Sequence, residues 1–197
     1  MASRLSDGVY VRDSVQIAVK LLVVGPFGVG KTTLIGAVSE IEPLRTEQLL
    51  TRAGEIVDDL RGLPGKNTTT VALDFGRITL GEDIVLYLFG TPGQPRFIQI
   101  WRDVARGAYG ALVLVDTRSL DTSFEALGLV ETLGLPYVVA VNAFPDTPGY
   151  SAAELREALD LAAATPLITC RAQDRESAKN ALIELVRHLH DAYREHQ

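Results

Sequence analysis

The sequence predicts an α/β fold: a mostly parallel sheet of six strands, one antiparallel hairpin within it, and five flanking helices. Three observations carry this. From Gly110 onward, β-branched apolar runs alternate with helical patterns, the rhythm of parallel strands joined by crossover helices. The first apolar run, "QIAVKLLVVG" (Gln16–Gly25), feeds a glycine-rich turn and then a helical stretch. Two long strand-like runs, "TVALDFGRITL" and "DIVLYLF", meet at Gly81-Glu82-Asp83, which has hairpin chemistry. In such a sheet ligands sit at the carboxyl ends of the strands.

In chain order, residues 1–14 are polar and expected as a loose tail, and residues 15–197 as a single domain. The first strand is followed by a helix expected from Lys31 to Ile41, closed by Pro43. Thr46 to Leu60 is expected to hold one or two helical turns, and "RGLPGKNTTT" is loop chemistry. After the hairpin, residues 97–106 are expected as helix. "GALVLVD", "PYVVAVN" and "PLITC" are the last three strands. Leu120–Leu133, Ala152–Ala163 and Arg175–Tyr193 are the helices between and after them, the first stopping near Gly134.

The 197 residues are 47% hydrophobic and 22% charged, an ordinary globular composition with chain enough for a full core. A net charge of −6 argues against a nucleic-acid or anionic-membrane surface. Cys170 is the one cysteine, so no internal disulfide forms and a reducing cytoplasmic setting is expected. Ile17–Val24 is interrupted by Lys20 and too short to span a bilayer. Neither secretory nor lipidation signals are read at the ends, with Ala2 in second place and Glu-His-Gln last. Direct membrane insertion is not expected; recruitment would run through a partner.

"GPFGVGKTT" matches G-x-x-x-x-G-K-[ST] at Gly25, Gly30, Lys31 and Thr32. Gly25, Phe27, Gly28, Val29, Gly30 and Thr33 make the turn whose backbone N–H groups face phosphates at a helix N-terminus. Lys31 supplies charge to the β/γ oxygens, and the Thr32 hydroxyl is a Mg²⁺ ligand. An exposed glycine turn with a lysine is the bland alternative, but the match falls between strand and helix, where the chemistry requires it.

Beyond this motif, "TVALDF" resembles the T-x-G-V-D-F stretch of Rab-type GTPases, and "GQPRFIQIWRDVARGAYGALVLVDTRSLDTSF" runs parallel to their second switch and the helix after it. "GPFGVGKTT", "DFGRITL" and "LYLFGTPGQ" resemble the small GTPase of actinobacterial conservons, over residues 16 to 190. The resemblance implies a Ras-like P-loop NTPase fold and a GTP/GDP switch working with Mg²⁺ beside a Roadblock/LC7-type protein and a sensor-kinase-like protein. It makes Thr70 the switch threonine that joins Thr32 on Mg²⁺. Gly93 becomes the backbone donor to the γ-phosphate, and Gln94 the residue that orients the attacking water. Asn142 and Asp146 fall at the base motif. "TCRAQD" resembles the S-A-K loop, putting Cys170 and Ala172 at the base, Ala172 through its N–H. Cys170 also reads as a buried small hydrophobe, and Trp101, Phe97 and Tyr109 as packing or partner surface.

Three positions depart from that pattern. The strand "LYLFG" ends on Gly90, where such switches carry an aspartate that touches Mg²⁺ through water; MglA-type GTPases share this loss, so the metal is expected to be held otherwise. A rival reading makes Asp116 the acid. Phe27 stands where a glycine leaves room for an arginine finger, and Arg61, Arg77 and Arg96 are the candidate arginines in cis. In "VNAFPDT", Ala143 replaces the base-motif lysine and Asp146 comes one residue late, after Pro145. The leading function is therefore a GTP-binding switch with slow hydrolysis. The alternatives are a nucleotide-binding pseudo-GTPase without turnover and a P-loop ATPase.

Overall fold

A computed structural model of the chain describes residues 15–51, 68–92, 98–145, 147 and 149–194. Along the chain run β1 (Ile17–Val24), α1 (Lys31–Val38), β2 (Leu44–Thr51), β3 (Thr68–Leu80), β4 (Ile84–Gly90) and α2 (Ile98–Ala105). Then come β5 (Gly110–Val115), a 3₁₀ turn (Leu120–Ser123) leading into α3 (Phe124–Thr132), β6 (Tyr137–Asn142), α4 (Ala152–Ala158), β7 (Leu167–Cys170) and α5 (Arg175–Arg194). The strands form one sheet in the order β2-β3-β4-β1-β5-β6-β7. Pairings β4–β1, β1–β5, β5–β6 and β6–β7 are parallel, and β2–β3 and β3–β4 antiparallel.

The fold class is the one expected, with one strand more. Residues 46–51, the first part of the stretch read as able to hold one or two helical turns, belong to β2, which pairs from Leu44↔Phe75 to Thr51↔Thr68. "LRTEQLLT" carries no strong period of its own. Strand propensity is largely a matter of the neighbour a segment lies against, and β3 offers an edge 13 residues long. Residues 52–60 and the tail 1–14 lie outside the described residues. Helix α1 stops short of Ile41 because Ser39 turns extended and its hydroxyl accepts the N–H groups of Ile41 and Arg77. Helix α4 stops short of Ala163, with Asp160 at φ 51° just beyond it.

Strand alternation sorts the core into two layers. Leu21, Val23, Leu86, Leu88, Leu112, Leu114, Val138 and Ala140 face α1 and α5. Leu22, Val24, Val113, Val115, Val139 and Val141 face the other way, against Trp101 of α2, α3, and Leu155 of α4. Helix α5 offers Ala178, Ala181, Leu182, Leu185 and Leu189, three and four apart, so one stripe reaches the sheet along its length. β1 is the switch point, flanked by β4 and β5, and its carboxyl end opens the crevice in which this class of sheet binds ligands. Among the described residues no helix is long and apolar enough to cross a membrane.

Leu182 is fully buried between α5 and the sheet. Leu182→Ala is expected to lower unfolding free energy by about 2–5 kcal/mol, read as a shifted urea midpoint with unchanged slope; a loss below about 1 kcal/mol would contradict this packing.

Candidate nucleotide site

The carboxyl ends of β1, β4, β5, β6 and β7 bring the expected residues to one edge of the sheet. From β1 the chain turns through Gly25 at φ 144°, where any Cβ would stand 2.5 Å from the Leu114 carbonyl oxygen. Gly30, at φ 107°, begins α1; a Cβ there would stand 2.7 Å from Asn142 Nδ2 and 3.2 Å from Ala172 Cβ. Both positions therefore need glycine for conformation and for space. Val29 is buried beneath the turn, whereas Phe27 projects from it, 81% exposed.

Lys31 is buried, and its ammonium donates to the carbonyls of Gly25 and Pro26, 2.7 Å each. Burial draws its pKa down from about 10.5 to about 8, opposed by the Asp74 carboxylate. The loop thus keeps a cation pointed into its own turn, the charge that phosphate oxygens meet. Thr32 and Thr33 lie exposed on the first turn of α1. The Thr32 hydroxyl donates to Asp74 Oδ2 at 2.5 Å.

Asp74 is the residue that sequence reading missed. It lies on β3 directly opposite Gly90 of β4. A Cβ at Gly90 would come 3.0 Å from Asp74 Cβ, 3.0 Å from Ile35 Cδ1 and 3.3 Å from Asp74 Oδ2. The signal was available: counting outward from the hairpin turn pairs Leu80 with Ile84 and so Asp74 with Gly90. Asp116, the rival acid, is engaged by Arg118, whose Nε and Nη2 donate to its carboxylate at 2.9, 3.1 and 2.6 Å. The Arg118 hydrogen bond lowers the Asp116 pKa against the opposing effect of burial.

At the ends of β6 and β7, the Asn142 side chain joins three segments. Its Nδ2 donates to the Val29 carbonyl and its Oδ1 accepts from the Ala172 N–H, 2.9 Å each. The Ala143 N–H donates to the Cys170 carbonyl at 2.8 Å. Cys170 itself is buried in the core, and burial pushes its thiol up to about 11, so it meets the site through its backbone. The Arg118 guanidinium lies 3.7 Å from the Phe144 ring centroid, and the Thr147 hydroxyl donates to the Phe144 carbonyl. Asp146 lies outside the described residues.

At the end of β4, the Thr91 N–H donates to the Val23 carbonyl at 3.1 Å, and Trp101 Nε1 to the Pro92 carbonyl at 2.8 Å. Buried Trp101 therefore anchors α2 to the T-P turn, the packing role expected for it. Gly93, Gln94, Arg96, Phe97 and Arg61 fall outside the described residues. Thr70 lies within β3, paired with Leu49. It is four positions from Asp74, about 13 Å along the strand at ordinary rise, and so is not beside Thr32. Arg77 is buried in the same strand, three positions from Asp74 and on the other face by alternation.

A glycine turn that matches the phosphate-loop motif, a buried lysine and a helix-start threonine at one sheet edge define a nucleotide-binding protein of the P-loop class. The chain belongs to the family described as "Conserved hypothetical ATP binding protein", whose profile matches residues 23–192. An uncharacterized protein of Methanocaldococcus jannaschii, MJ1339, is 33% identical over 127 residues, 63% of this chain and 69% of that protein. Among solved structures, the cytosolic domain of the T. maritima FeoB iron transporter resembles it in the GMPPNP form, with a TM-score of 0.63 and 18% identity over 87% of this chain. GDP form I of that domain gives a TM-score of 0.63 and 18% identity over 89%. This chain spans 64% of the length of those two structures, and the likeness is one of fold.

Two outcomes follow from this geometry. Phosphates favour charged Lys31, so the bound form must hold its proton more tightly than the empty form, whose pKa is about 8. Nucleotide affinity is expected to be flat below pH 7.5 and to fall about tenfold per unit as pH rises above 8; titrations at pH 7, 8 and 9 check it, and a flat profile would contradict it. In the empty protein the sign reverses: with Lys31 depressed below 10.5, folding stability rises between pH 8 and 10.5. Separately, Asn142→Ala strands a buried carbonyl and a buried N–H. It is expected to cost about 2–4 kcal/mol of stability, measured by urea unfolding.

Proposed function

We propose that this chain is a GTP-binding switch that hydrolyses GTP slowly. The observation that carries the reading is the Asn142 side chain, which ties the phosphate turn at Val29 to the base loop at Ala172. It supports one continuous cradle for phosphates and a purine. In this reading the turn Gly25–Gly30, with Phe27, Gly28, Val29 and Thr33, wraps the phosphates, and Lys31 exchanges its carbonyl partners for β/γ oxygens. Ala172 and Asp146 read the base. Gly93 donates to the γ-phosphate, and Gln94 orients the water that attacks it.

Thr32 fits Mg²⁺ by chemistry: it is a hard hydroxyl oxygen, exposed at the helix start beside a carboxylate. The ion, when bound, would neutralise charge on the phosphate oxygens. For Thr70 to join Thr32, the first residues of β3 must leave their β2 partners. That release is the conformational change the switch reading requires. The conservon resemblance extends the proposal to a Roadblock-type protein and a sensor-kinase-like protein as partners. A second reading, an ATP-binding protein, is favoured by the description of the family and by Ala143 in place of the base-motif lysine.

The test is the nucleotide itself. Denatured, freshly purified protein is expected to release a guanine nucleotide, and the emptied protein to bind GDP at least 100-fold more tightly than ADP, a discrimination of about 3 kcal/mol. Equal affinities would move the assignment to the second reading. In single turnover, Gln94→Ala is expected to slow phosphate release from GTP by about 10–100-fold while leaving GDP affinity unchanged. Absence of turnover in the unaltered chain would leave a nucleotide-binding protein without hydrolysis.

A further inference from the structure

The glycine that ends β4 reads in sequence as a lost acid, yet a carboxylate stands on the adjacent strand at the same level of the sheet. We propose that Asp74 is the acid of the metal site, reaching across the β3–β4 ladder to hold a hard divalent cation, Mg²⁺ or Mn²⁺, together with Thr32. This rests on the nucleotide-binding reading above and deepens it.

Register, reach and space support the assignment. Opposite residues of an antiparallel pair project from the same face, so Asp74, paired with Gly90, projects where a side chain at the end of β4 would have projected. Its Oδ2 lies 2.5 Å from the Thr32 hydroxyl oxygen, the P-loop group suited to the ion. The space belongs to Asp74: a Cβ at Gly90 would press on Asp74 and on Ile35 of α1 at 3.0 Å each. Gly90 is thus the room that lets the carboxylate of β3 reach α1.

The hydrogen bond has a further effect on the ligand atom. A threonine hydroxyl has one proton and two lone pairs. Donating the proton to Asp74 turns a lone pair of Thr32 away from the carboxylate and leaves it for the cation. The negative charge also offsets the cation beside a buried Lys31 ammonium. The relocation changes which element senses the metal. An acid at position 90 would tie the ion to β4 and the T-P-G-Q turn. Asp74 ties it to β3, the strand that carries Thr70 and the β2 ladder.

Mn²⁺ binding to the nucleotide complex, followed by the electron paramagnetic resonance of free Mn²⁺, tests this without reference to hydrolysis. Asp74→Asn keeps the size and an oxygen acceptor for Thr32. It is expected to weaken Mn²⁺ by at least about tenfold while nucleotide affinity in EDTA stays within threefold. Asp116→Asn, which alters the other carboxylate near the strand ends, is expected to leave Mn²⁺ affinity unchanged. Mn²⁺ affinity within twofold of the unaltered chain in Asp74→Asn would overturn the proposal. So would a parallel loss of nucleotide in EDTA, which would make Asp74 a support of the loop, or a loss of Mn²⁺ confined to Asp116→Asn. If the unaltered chain binds no nucleotide either with Mg²⁺ or in EDTA, the underlying reading fails and takes this one with it. Nucleotide bound without metal, with Asp74→Asn silent toward Mn²⁺, sinks this one alone.

Discussion

One buried amide, that of Asn142, sets the relation between the two halves of the site. Its donor holds the Val29 carbonyl of the phosphate turn and its acceptor holds the Ala172 N–H beyond β7. Gly30 packs so close beneath it that a single added carbon would stand 2.7 Å from Nδ2. A phosphate turn alone is a short loop between a strand and a helix. The loop that holds Ala172 is a connection between β7 and α5. Their separation is fixed because one rigid side chain, itself 4% exposed, satisfies a buried acceptor on one and a buried donor on the other.

Around that link, side chains from neighbouring elements pack where the motif positions are small. Position 90 has no side chain, and Asp74 across the ladder occupies the space. Ala143 offers no long side chain to the base, and the loop that follows is braced from behind: Arg118 lies on Phe144 and is itself held by Asp116. The bidentate bond commits the Asp116 carboxylate to an arginine.

The comparisons set the breadth of the class. A family described as ATP binding and a transporter domain solved with GMPPNP or GDP share this fold's framework. β1, its glycine turn and the start of α1 are local in sequence, so one short segment carries the whole phosphate-loop motif.

How much could be read in advance depends on that locality. The phosphate turn was legible residue by residue, since a tight loop around phosphates constrains consecutive positions: Gly25, Gly30, Lys31 and Thr32 all stand where the motif placed them. The parallel strands were legible too, because a strand buried on both faces is apolar along its run, as β5 is and as β6 is up to Asn142. β2 was not, for its existence depends on the free edge of β3 rather than on its own pattern. Asp74 was read as part of a family-like stretch with no role of its own, because its meaning lies in the residue opposite. Sequence by itself determined the class of fold, the phosphate turn and the identity of the groups that carry charge. Only tertiary structure decided which of them meet, since hydrogen bonds such as Thr32 to Asp74 and Asn142 to Val29 join positions 42 and 113 residues apart. Such contacts are set by strand register and by packing, which local propensity does not encode.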